Sequence, residues 1–244
     1  MNSIVSKCMN KITDLFYPKI CYLCNAPLQE NGLCHKCWNK IRFIQDPACK
    51  TCGNPFSYDM GESISCGKCI QNKKYYIDYA KSIMKYDINT KKLIMSYKNH
   101  NCFYLTNFFA NLMNNSIKEW ADNVDYIIPI PLHNWRLFWR GYNQTEILTK
   151  QLSKIAKISH LRDGLLRTKW TYSQSKFNKA GRKKNMENAF EINYAHENKI
   201  KGKNVLILDD VTTTGATLNS AAKVLKDAGV KGVYCITIAK SISF

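Results

Sequence analysis

The sequence predicts an α/β fold, a parallel sheet with helices on both faces, preceded by a small cysteine-rich region. Three observations lead there. Val205–Leu208 is a continuous, partly β-branched apolar run of the kind buried on both faces of a parallel sheet, and Val124–Ile130 and Val233–Ala239 supply two more candidate strands. Between them, Phe103–Met113 and Glu146–Ile158 repeat apolar residues at helical spacing, and such alternation builds parallel sheets. Ahead of it, eight of the eleven cysteines fall in four C-x-x-C pairs. The 244 residues accommodate one large domain, or a domain of usual size plus a small module. We divide the chain into an N-terminal helix over 1–19, a cysteine-rich region over 20–75 and the α/β domain over 76–244.

In the first segment, Ile4, Val5, Cys8, Ile12, Leu15 and Phe16 form an amphipathic helical pattern that suits packing on its own protein. Lys7, Lys11 and Asp14 interrupt it, and it shows neither a secretory h-region nor a small-residue cleavage site. No stretch approaches the ~18 uninterrupted apolar residues needed to span a bilayer. A cytoplasmic protein is expected.

The cysteines follow. A C-x-x-C turn aims two thiolates at one point, and two turns complete a tetrahedral shell that selects zinc or sometimes iron. Taken in order, Cys21, Cys24, Cys34 and Cys37 surround one ion, and Cys49, Cys52, Cys66 and Cys69 a second. Spacing alone does not exclude cross-braced pairing. The spacers carry turn residues (Asn25, Pro27, Asn31 and Gly32, then Gly53, Asn54, Pro55 and Gly61), and both modules resemble zinc ribbons. Disulfides conflict with a cytosolic chain and a redox motif with four tandem pairs, whereas an iron–sulfur cluster stays open. Two structural zinc ions are expected: a closed four-cysteine shell has no open coordination position, and residues 20–70 are too short and turn-rich to fold on an apolar core alone. His35 reads as a surface residue, and Cys235, inside an apolar run, as core.

Further along, Tyr79–Tyr86 alternates like a strand, and Thr90 opens a helical pattern through Leu93, Ile94 and Tyr97. Val124–Ile130 is closed by Pro129 and Pro131. The most informative stretch is V-L-I-L-D-D-V-T-T-T-G-A-T-L, residues 205–218. Its apolar strand ends in Asp209 and Asp210; a hydroxyl-rich turn with Gly215 follows, then a helix with Leu218, Ala221, Ala222 and Leu225 on one face. Backbone N–H groups at that helix start suit a phosphate, Gly215 permits close approach, and Thr213, Thr214 and Thr217 add hydroxyl donors beside Ala216. The carboxylates suit a ribose cis-diol, or a metal bridging ribose and pyrophosphate. The glycines of a P-loop or a dinucleotide fingerprint are missing. The stretch resembles the ribose-5-phosphate loop of the type I phosphoribosyltransferase fold, which implies binding of phosphoribosyl pyrophosphate (PRPP), with magnesium.

The order of features resembles the ComF family of competence-associated proteins. The matching pieces are C-Y-L-C-N-A-P-L (21–28), G-L-C-H-K-C-W (32–38), C-K-T-C-G-N-P (49–55), C-G-K-C (66–69), K-L-I-M-S-Y-K (92–98), I-P-I-P-L-H (128–133), R-G-Y-N-Q-T-E (140–146), L-L-R (165–167) and R-K-K-N (182–185), ending in the PRPP loop. The resemblance implies a double zinc ribbon before a phosphoribosyltransferase-like domain. It places Lys98 as the pyrophosphate-loop lysine, Asp209 and Asp210 on the ribose, and Thr213–Thr217 around the 5-phosphate. Arg140 and Asn143 fall in a signature motif, and Arg182 and Asn185 in a mobile R-x-x-N segment. One departure is that N-H-N follows Lys98, in place of the family's aromatic and basic residues. The implied role is in natural transformation, handling DNA after membrane passage.

Composition points the same way. Thirty-six Lys and Arg against 18 Asp and Glu give a formal charge of +18, which favours a polyanionic partner, nucleic acid first and an anionic membrane second. Residues 162–184 hold eight Lys and Arg with one Asp, interleaved with Trp170, Tyr172 and Phe177. Such a loop suits single-stranded DNA, with Arg182, Lys183 and Lys184 on phosphates and rings on bases, or a lid over pyrophosphate. His133 reads as a loop-capping residue, and Trp135 and Trp139 as core or interface packing residues. The expected protein binds PRPP or a related phosphosugar and single-stranded DNA. One alternative is a working phosphoribosyltransferase acting on a nitrogen acceptor; another is a ribbon module docking a DNA-uptake helicase or translocase.

Overall fold

The computed structural model describes residues 19–59, 61, 64–72, 74–99, 104–132, 137–139, 141–168 and 189–242. The expected N-terminal helix, Cys8, Cys102, His133, Trp135, Arg140, Arg182, Lys183, Lys184 and Asn185 lie outside them.

Five parallel strands form the sheet: β1 (Tyr79–Lys85), β2 (Tyr126–Pro129), β3 (Ser159–His160), β6 (Asn204–Thr212) and β7 (Gly232–Lys240), in the order β1-β7-β6-β2-β3. Val205–Leu208 are wholly buried at its centre, as a continuous apolar run requires. A separate antiparallel pair, β4 (Leu165–Arg167) and β5 (Phe190–Ile192), has no periodicity long enough to be seen in sequence.

Helices cover both faces. On one, α3 (Ile88–Asn99), α4 (Tyr104–Ser116) and α5 (Gln144–Ala156) bury Leu93, Phe109 and Leu148 against Leu206 and Ile236. On the other, α7 (Ala216–Asp227) buries Leu218, Ala221, Ala222 and Leu225 against Val205, Ile207 and Cys235. The apolar stripe expected on α7 is the one it buries. The single turns α1 (His35–Trp38) and α2 (Gly67–Gln71) belong to the cysteine-rich region, and α6 (Glu197–Ile200) precedes β6.

Several boundaries differ from the periodicity, each for a local reason. α3 starts before Thr90 because the Asp87 carboxylate accepts from the N–H groups of Asn89 and Thr90, both at 3.0 Å. α5 starts at Gln144 because the Asn143 side chain accepts from Thr145 N–H, and it ends before Ile158 because Lys157 turns left-handed. β6 runs on through Asp209 and Asp210 to Thr212, since β7 continues to pair with it as far as Lys240.

The cysteine-rich region does not hang free. Phe43 forms an antiparallel bridge with Met84, Ile44 N–H donates to Ile83, and Lys85 N–H donates to Arg42, so this segment covers the outer edge of β1. Tyr22 stacks on Tyr104 at 5.0 Å and meets Phe108 edge-on, which docks the first cysteine module on α4.

Candidate functional site

The eight paired cysteines converge as two sets in sequence order. The sulfurs of Cys21, Cys24, Cys34 and Cys37 lie within 4.8 Å of one another, as do those of Cys49, Cys52, Cys66 and Cys69. A tetrahedron with ~2.3 Å metal–sulfur bonds has edges of about 3.8 Å. Cys24 and Cys34 sulfurs are 3.8 Å apart, and those of Cys52 and Cys66 are 3.9 Å apart. In each set the third cysteine's N–H donates to the first cysteine's sulfur, from Cys34 to Cys21 at 3.3 Å and from Cys66 to Cys49 at 3.1 Å. These donors favour thiolate. Burial and the three neighbouring thiols push Cys37 up to about 12. The donor set fits zinc, and the two four-cysteine sites are consistent with two zinc ions. His35 is exposed and apart from both sets, its ring against Asn39, and Cys235 is buried core.

The second cluster of chemistry lies at the C-terminal end of β6. β2 stops at Pro129, opposite Leu208, and Ile130 N–H makes the last bond to the Leu208 carbonyl. Past that point β6 pairs only with β7, and the freed edge is where Asp209 and Asp210 stand. Open α/β sheets bind ligands in this crevice at the strand ends. The Asp210 N–H donates to the Asp209 carboxylate at 2.8 Å. Burial, then the Asp210 charge, pushes Asp209 up to about 7, although Lys98 and Arg167 pull it down. Lys98, at the end of α3, forms an ion pair with Asp210 at 2.5 Å. Thr213 to Thr217 then turn the chain into α7, with Gly215 at its cap in the left-handed region, φ 77°. Ala216 N–H donates to the Thr214 hydroxyl at 3.3 Å, and Thr214 is exposed.

The structure thus brings Lys98, Asp209, Asp210 and Thr213–Thr217 to one strand end. Asn143 does something other than line it. Its side chain caps α5 and donates to the Ile130 carbonyl at 3.3 Å, fixing the end of β2. Gln144, 2% exposed, donates to the Lys98 carbonyl at 3.0 Å and accepts at its own carbonyl from the Tyr97 hydroxyl at 2.9 Å. Sequence reasoning missed this role of Gln144, because a buried amide at a helix start leaves no spacing signal. Trp139 is 71% exposed and Phe138 beside it 80%, which removes the core half of the packing expectation for Trp139. No helix among the described residues is long and apolar enough to cross a membrane.

Comparison with known proteins agrees with this layout. A double zinc ribbon domain matches residues 12–70, and a phosphoribosyl transferase domain matches residues 149–243. The chain is 31% identical to "Competence protein F" of Haemophilus influenzae over 222 residues, covering 89% of this chain and 94% of that protein. It is 26% identical to "DNA utilization protein YhgH" of Escherichia coli, covering 93% and 100%. Against "Competence protein ComFC" of Bacillus subtilis it is 26% identical, covering 91% and 95%. With a double zinc ribbon, a type I phosphoribosyltransferase-like sheet and this relative aligned nearly end to end, the chain belongs to the ComF family.

Proposed function

We propose that the chain binds PRPP or a related phosphosugar with magnesium, binds single-stranded DNA, and acts in the cytoplasm in DNA uptake. The observation that carries the first part is the pairing of Lys98 with Asp210 beside the Gly215-capped loop. A cation, two carboxylates and a phosphate-type helix start meet at one strand end. On this reading Thr213–Thr217 hold the 5-phosphate, Asp209 and Asp210 take the ribose hydroxyls, and Lys98 turns from Asp210 to the pyrophosphate with its magnesium. Two zinc ions hold the ribbons.

DNA binding is supported by the +18 charge, by the basic and aromatic residues of 162–184, with Arg182, Lys183 and Lys184 set against phosphates, and by exposed Phe138 and Trp139. The relatives' names, competence protein and DNA utilization protein, support the DNA-uptake role. A DNA-uptake helicase or translocase is the partner class for the ribbons. Division at residues 19 and 75 suits these separate tasks.

Calorimetry with PRPP and magnesium tests the site. Thr214→Ala removes a donor to a charged group, worth roughly 1.5–3 kcal/mol, so affinity falls about tenfold or more. Asp210→Ala also weakens binding. Wild-type protein that takes up no PRPP refutes the phosphosugar reading, and pyrophosphate release on adding a nitrogen base favours the transferase alternative.

A further inference from the structure

The second ribbon reaches the phosphate loop. After Cys69 the chain runs through Lys74, Tyr75 and Tyr76 across the start of α7. The Asn219 side chain, one turn into α7, accepts from Tyr76 N–H and donates to the Lys74 carbonyl, both at 2.8 Å. These two bonds clamp the strap on both sides of Tyr75. The Tyr75 ring packs beside the α7 core. Its hydroxyl comes so close to Gly215 that a Cβ there would meet it at 2.9 Å. Gly215 therefore answers to two demands, its left-handed backbone and the Tyr75 hydroxyl above it. Among the described residues that hydroxyl makes no hydrogen bond.

A phenol with a spare O–H, held against the capping residue of an anion-type helix start, is placed to donate to whatever the N–H groups of that start receive. We infer that Tyr75 is a further phosphate-binding residue of the loop, supplied by the second ribbon and held there by Asn219. This rests on the phosphosugar reading of the loop. It gives the ribbons unequal tasks: the first docks through Tyr22 on the face carrying α4, whereas the second leads into the strap on the face carrying α7.

Tyr75→Phe removes only the hydroxyl and keeps the ring. In calorimetry on the zinc-loaded full chain, with ribose 5-phosphate as probe, its affinity should fall about tenfold or more, as for loss of one hydrogen bond to a charged group. Metal content and thermal midpoint should stay at wild-type values. Asn219→Ala, which frees the strap, should weaken binding in the same direction. Thr214→Ala is the reference. If it loses affinity while Tyr75→Phe binds like wild type, the loop binds phosphate and the Tyr75 inference is overturned. If wild-type protein binds no ribose 5-phosphate, the reading of the loop itself fails and the inference with it.

Discussion

Asp209→Asn should stabilise the protein while damaging its site. Burial and the charge of Asp210 lift Asp209 from the ordinary 3.8 to about 7. A shift of about three units is worth about 4 kcal/mol as a ceiling. Asp209 is only half-buried, so solvent screening reduces this to about 1–2 kcal/mol. The sign follows from proton counts. Between 3.8 and about 7 the folded chain holds a proton at Asp209 that the unfolded chain has lost. Stability from this group therefore falls as pH rises through that window, and is flat above it. Asparagine does not titrate, and its carbonyl can still accept from Asp210 N–H. The gap between the melts of the two proteins should be smallest near about pH 4, widen as pH rises to about 7, and reach about 2–8 °C near about pH 8.5, the variant melting higher. Both carry the same ribbons, so acid loss of metal affects them alike. A variant that melts lower than wild type at about pH 8.5, or a gap constant with pH, refutes the reasoning. In wild-type protein, PRPP affinity should weaken below about 7, where Asp209 takes up its proton.

Elemental analysis should find close to two zinc ions per chain, and Cys34→Ser should lose one and unfold the first ribbon; iron, or no metal in a folded chain, refutes this. Lys98→Ala should weaken PRPP far more than ribose 5-phosphate, which lacks the pyrophosphate. Gln144→Ala, acting through Lys98, should do the same more mildly and add nothing to the Lys98 variant, whereas independent losses in the double variant would show that Gln144 does not work through Lys98. Replacing Arg182, Lys183 and Lys184 together by alanine should weaken single-stranded DNA binding regardless of sequence. Its salt dependence should flatten by roughly 0.7 in log–log slope for each phosphate no longer neutralised. An unchanged slope would count the basic excess as composition.

The parts of the fold legible in sequence are those governed by local patterning. Val205–Leu208 could only be a buried strand, and the α7 stripe only a buried helix face. The four C-x-x-C pairs gave the metal clusters, but their in-order pairing needed the sulfur positions. What escaped depends on residues distant in sequence. Asn219 holds a strap some 143 residues earlier, and Lys98 meets Asp210 across the sheet. The extension of β6 beyond Asp209 was hidden for a related reason: its partner on β7, not its own composition, keeps it a strand. Gln144 and Asn143 sat inside a recognised motif, yet their work as braces for Lys98 and for the end of β2 shows only in their hydrogen bonds.

The segment around Phe43 that closes the outer edge of β1 bears on how the protein is made. Ribosomes deliver the cysteine modules before the sheet, so the cover is synthesised ahead of the strand it shields. A nascent chain supplied with zinc meets β1 with its template already folded. One starved of zinc leaves the outer edge of β1 around Ile83 to Lys85 without its cover and open to neighbours. Metal scarcity should therefore show first in cells as insoluble protein, ahead of any weakening of the phosphosugar site.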